Sequence, residues 1–169
     1  MNEQHPIAVL TTGGTIDKIY FDSLSAFQIQ DSVIGHLLRV ACVTYPYTVT
    51  EVCRKDSLEL NDDDRAMIVA QVKATTGNRV VITHGTDTMT VTAAALCVIS
   101  GKTIILVGAL TPARFSESDA TFNLGMAFAA AQIAPPGVYI TMNGTVFDAA
   151  SVVKDRAAGA FIACEIIET

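Results

Sequence analysis

At 169 residues, half of them apolar, the chain is long enough for one domain whose core needs neither disulfides nor a metal. Eleven basic against seventeen acidic residues give a formal charge of −6 with no basic stripe, which excludes the usual nucleic-acid binder. Charged residues make up only 17% and Trp is absent, the composition of a compact core rather than of a disordered tail.

In chain order, residues 1–6 are polar, without the basic and apolar regions of a secretory signal, and a cytoplasmic location is expected. Residues 7–11 read as a buried strand running into the turn Thr12-Gly13-Gly14-Thr15-Ile16-Asp17. A helix is expected over 31–41 and a second buried, β-branched strand over 47–53. The next helix, 62–76, carries start and stop signals. Asn61 can cap it, Asp62, Asp63 and Asp64 suit its positive end, and Gly77 can close it. Strand 79–83 leads into the turn Thr83-His84-Gly85-Thr86-Asp87-Thr88-Met89, followed by a helix over 90–100 and a strand over 103–107.

Helix 119–133 has high helix propensity and a close-packing alanine face in Ala127, Ala129, Ala130 and Ala131. Pro135-Pro136-Gly137 stops it ahead of a strand over 138–142. Beyond residue 147 the pattern is weakest, with 161–167 reading as a last strand or an apolar edge. Alternating strands and helices predict a single α/β domain over 1–169: a mostly parallel, Rossmann-like sheet with helices on both faces. The apolar runs are broken by Gly, Thr or Lys before spanning length, so no membrane helix is expected. Cys42, Cys53, Cys97 and Cys164 are far apart without a CxxC pair and read as buried free thiols.

The two Thr-Gly turns carry the chemistry. Each brings a threonine hydroxyl to the end of a buried strand, where open α/β sheets bind ligands. Gly13 and Gly14 allow a tight turn and close approach to a ligand. Thr15 on that turn reads as a nucleophile needing a base, or as a plain turn residue. Neither G-x-G-x-x-G nor G-x-x-x-x-G-K-[ST] occurs, so no nucleotide fingerprint is met. His84 reads as a buried structural residue, and its spacing from His5 and His36 gives no zinc site. Lys154 lies among small and apolar residues, where a partly desolvated lysine can take a hydroxyl proton, although taken singly it reads rather as an exposed surface lysine. Ser57 follows the second strand and can offer a hydroxyl to the same crevice.

Taken together and in order, these segments resemble the bacterial-type L-asparaginases, which hydrolyse asparagine, and in some cases glutamine, to the acid and ammonia. The resemblance is carried by Thr12-Gly13-Gly14-Thr15-Ile16, Asp56-Ser57, the block from Val81 to Met89, Val107-Gly108-Ala109, and Met142-Asn143-Gly144 through Lys154. It implies an asparaginase N-terminal-domain fold and an amidohydrolase needing no cofactor or metal. Its partner would be a small amide, with neither nucleic acid nor membrane, in a homodimer or higher homo-oligomer.

By the same resemblance Thr15 attacks the amide carbon, and Thr86, Asp87 and Lys154 form a proton-transfer triad. Ser57 and Asp87 hold the substrate's charged end, the main chain at Ala109 meets its amide, and backbone amides of the turns at Gly14 and Gly85 face the oxyanion. The family's mobile tyrosine matches Tyr20 or, by spacing, Phe27. Two departures stand out. The second, smaller domain that family members carry is expected to be absent, and Leu58 follows Ser57 where many have glutamine. These departures imply weak or altered turnover, an amino-acid-binding module, or one half of a two-part enzyme as alternatives.

Overall fold

The computed structural model describes residues 5–21 and 26–164. Its centre is a six-stranded sheet in the order β4-β1-β5-β6-β7-β8, made of β1 Ile7–Gly13, β4 Tyr47–Lys55, β5 Arg79–Thr83, β6 Thr103–Val107, β7 Gly137–Met142 and β8 Thr145–Asp148. The first five run parallel and β8 turns back antiparallel on β7. The inner strands are unbroken apolar runs because side chains cover both faces. One core layer takes Leu10, Ile82, Leu106 and Ile140 beneath α2 Asp62–Ala74 and α3 Met89–Leu96. The other takes Val9, Val81 and Ile105 beneath α1 Ile34–Val40 and α4 Ala120–Ile133.

Several local expectations hold. Asn61 and Asp64 form a reciprocal capping box at the start of α2. Ala127, Ala130 and Ala131 are buried against the sheet, whereas Ala129 of the expected alanine face points to solvent. Others are corrected. β4 is an edge strand and mostly exposed, because only β1 pairs with it. Helix α1 is shorter at both ends than the periodicity implies, and α3 stops at Leu96. Helix α2 ends at Ala74 because Thr75 turns extended, so Gly77 does not close it. Instead Lys102 Nζ caps that end, donating to Thr75 O and Gly77 O. The cysteines are not buried: Cys42 and Cys97 are exposed, and Cys53 and Cys164 intermediate.

Two small hairpins were not legible as such. β2 Lys18–Phe21 pairs with β3 Ala26–Ile29 directly after the first Thr-Gly turn. β9 Val152–Asp155 pairs with β10 Ala160–Ala163, so the expected final strand is real but starts one residue earlier. The strand ends at Ala163, with Cys164 already beyond it, and the rest of that expectation, 165–167, lies outside the described residues.

Candidate functional site

Four neighbouring parallel strands end on the same side of the sheet. The turns after β1, β4, β5 and β6 carry Thr15, Ser57, Thr86 and Ala109 respectively. Parallel pairing therefore brings together residues separated by many tens of positions in sequence.

The first two turns lock by backbone. Gly13 and Gly14 have φ of +95° and +86°, a region side-chain-bearing residues avoid. A Cβ on Gly14 would stand 2.5 Å from Gly85 Cα, and one on Gly85 would stand 2.7 Å from Ser57 Oγ. The absent side chains are what let the three turns touch. Thr15 and Thr86 each lie one residue beyond the Gly14–Gly85 contact. Gly14 N–H donates to Lys55 O at 3.0 Å, so this amide is engaged within the protein, and Gly14 serves the site by close approach. Thr15 opens a single turn of 3-10 helix, Thr15–Asp17, tied by Asp17 N–H to Gly14 O and by Ala113 N–H to Ile16 O. Asp17 Oδ1 also accepts from Val33 N–H at 2.9 Å, and burial pushes its carboxyl above the usual range.

The second turn carries the charged centre. Lys154 Nζ donates to Thr86 Oγ1 at 2.8 Å and to Asp87 Oδ1 at 2.7 Å. Lys154 arrives from β9, which is carried over α3 through buried Val152 and Phe161. Thr86 is buried, and the Lys154 side chain keeps 16% of its surface, so the contact is largely shielded from water. Beneath it His84 has no exposed surface. Its Nδ1 lies 2.7 Å from Gly85 O and its Nε2 2.8 Å from Thr92 Oγ1. The carbonyl can only accept, so Nδ1–H donates to it and Nε2 accepts the Thr92 hydroxyl. Burial pushes the His84 pKa down to about 4, which makes it a neutral support for the turn.

Ser57 Oγ is buried without a hydrogen-bond partner among the described residues. Its own carbonyl accepts from Thr88 Oγ1 at 2.7 Å, which ties the Ser57 turn to the Thr86 turn. Leu58 beside it is 65% exposed. An orphaned buried hydroxyl is costly unless a ligand or water uses it. Tyr20 and Phe27 face each other across the β2–β3 hairpin with ring centroids 5.2 Å apart, so both matches to the family's tyrosine share one place. Ala109 is buried in the turn after β6.

Sequence reading missed three supports: Thr88, Asp119 and Asn123. Their hydroxyl, carboxylate and amide act on backbone groups of other turns, and no local spacing announces such partners. Among the described residues no group of three or more His, Cys, Asp or Glu is placed to hold a metal. Nor is any helix among them long and apolar enough to cross a membrane.

The sequence profile of the family "Asparaginase, N-terminal" matches residues 6–163. A probable periplasmic L-asparaginase of Haemophilus influenzae is 34% identical over 161 residues, covering 88% of this chain and 46% of that protein. One component of a glutamyl-tRNA(Gln) amidotransferase from Methanococcus vannielii is 49% identical over 71 residues, covering 41% of this chain and 17% of that protein. Among solved structures, a probable cytoplasmic L-asparaginase from Campylobacter jejuni superposes with a TM-score of 0.79 at 30% identity, covering 94% of this chain and 53% of that one. The chain thus spans less than half the length of these sequence relatives and about half that of the solved structure.

Proposed function

Since the chain belongs to the asparaginase family by its N-terminal domain, we propose that it is an amidohydrolase using Thr15 as nucleophile on the side-chain amide of asparagine or a related small amide. The observation that carries this reading is the Lys154–Thr86–Asp87 arrangement, at 2.7 and 2.8 Å, one residue beyond the glycine contact that abuts Thr15. A hydroxyl is a poor nucleophile until its proton has somewhere to go. The hydrogen-bonded Lys154–Thr86–Asp87 chain gives it a path, with Thr86 as relay and Asp87 holding the lysine in place.

In this reading Thr15 Oγ bonds to the amide carbon as its proton passes to the Thr86–Lys154 pair. The carbonyl oxygen becomes an oxyanion facing the Gly85 amide, which has no acceptor among the described residues. Collapse breaks the C–N bond, and ammonia leaves with the transferred proton. Water then cleaves the Thr15 ester to give the acid and restore the hydroxyl. Ser57 Oγ, orphaned in the crevice, and the free edge of Asp87 take the substrate's charged end, while Tyr20 closes over the Thr15 turn from the hairpin that follows it.

The test is ammonia release from asparagine and glutamine by the pure chain, beside Thr15→Ala. Release that the variant abolishes supports the reading, and equal background rates in both overturn it. A second reading, one half of a two-part enzyme, is favoured by the match to an amidotransferase component. It expects turnover only when a second polypeptide is added. We place the protein in the cytoplasm, where its four free thiols stay reduced, and as a homo-oligomer whose size chromatography with light scattering would read.

A further inference from the structure

Asp119 stands at the N-cap of α4, where an aspartate ordinarily accepts from the first N–H groups of its own helix. It makes no such bond. Ser118 Oγ accepts from Ala120 N–H instead, at 3.1 Å. The Asp119 carboxylate reaches back along the chain to the turn after β6, accepting from Leu110 N–H with both oxygens at 3.0 Å and from Thr111 N–H at 3.0 Å. Asn123, on the next turn of the helix and buried, donates to Asp119 Oδ2 at 2.7 Å and to Gly108 O at 3.0 Å. Gly108 packs closely on the turn after β5, where a Cβ would stand 2.5 Å from His84 O and no side chain fits.

The turn is therefore gripped at residues 108, 110 and 111. Ala109 between them is 1% exposed, and no hydrogen bond among the described residues uses its N–H or C=O. Buried main-chain groups are nearly always paired, so a gripped turn with one unpaired residue is arranged for something outside the chain.

We propose that Asp119 and Asn123 are positioning residues that hold the Ala109 carbonyl ready to accept from the NH2 of the substrate carboxamide. The inference rests on the hydrolase reading above. A carboxamide carries two N–H donors that an ester of the same acid lacks, so a preset carbonyl favours the amide alone. It also fixes the leaving nitrogen relative to Thr15, and small misplacements of that kind are costly to rate.

The experiment compares kcat for asparagine and for aspartate β-methyl ester in wild type, Asp119→Ala and Asp119→Asn. The ratio of the two rates does not depend on how much of a variant is folded. Asp119→Ala is expected to lower kcat on the amide about tenfold or more, with the ester falling less than about threefold. Asp119→Asn, which keeps an acceptor oxygen, falls between. Equal losses on amide and ester in both variants indicate a merely structural role and overturn the inference while leaving the hydrolase reading intact. A wild-type chain that cleaves neither substrate overturns both.

Discussion

Acidification from pH 7 towards 4 should destabilise this fold through His84. The ring is fully buried, with Nδ1–H on Gly85 O and Nε2 on the Thr92 hydroxyl, and burial lowers its pKa from 6.5 to about 4. Within that window the unfolded chain holds a proton on this residue and the folded protein does not. Unfolding therefore becomes easier as pH falls, by up to about 1.4 kcal/mol per pH unit and about 3 kcal/mol across the window. The stability is fully present above 6.5 and its loss is complete below about 4.

Asp17 acts in the opposite sense. Its buried carboxyl takes a proton at higher pH in the folded protein than in the unfolded chain, so acid relieves some of its burial cost. Raw stability against pH therefore mixes the two residues, and a His84→Gln variant separates them. Urea unfolding followed by circular dichroism, at steps between pH 7 and about 4, should show the variant less stable at neutral pH. The gap should then narrow by about 2–3 kcal/mol as acid is added. Parallel curves for the two proteins would refute the reasoning, because they would mean that His84 titrates alike in both states.

Replacing Lys154 by Met keeps the stem and removes the donor to Thr86 and Asp87. Ammonia release should fall by about a hundredfold or more, and stability by about 2 kcal/mol because Asp87, 35% exposed in its side chain, keeps some water. Gly14→Ala should lose turnover and at least about 2 kcal/mol of stability in the same unfolding assay, since it needs a positive φ and a Cβ placed against Gly85. A thiol reagent at neutral pH should label Cys42 and Cys97 fastest by mass spectrometry. Cys53 should lag, its thiol half-shielded beside Thr12 O and pushed up to about 11 by burial and then by Asp64. Equal labelling of all three would count against that description.

Much was legible in the sequence. Strands β1, β5, β6 and β7 announce themselves as apolar runs, the Asn61 capping box is a local spacing, and Gly14 and Gly85 mark turns that need missing side chains. These signals are short-range: each acts within one or two turns of chain. The two Thr-Gly turns could be singled out for the same reason. The exposed edge position of β4 was not legible, because Tyr47 to Cys53 reads the same whether one neighbour or two flank it. Cysteine exposure failed likewise, since an apolar sequence neighbourhood does not say which face a residue occupies.

By itself the sequence determined the α/β alternation, the turn chemistry and which residue types were available for catalysis. Only the tertiary structure decided that Lys154, more than sixty positions away, lies within hydrogen-bond reach of Thr86 and Asp87. It also decided that Gly14 abuts Gly85, that Ser57 Oγ is left without a partner, and that Asp119 turns its carboxylate away from its own helix. Strand pairing and packing choose such neighbours in space, and local spacing marks each element without saying which distant segments will meet.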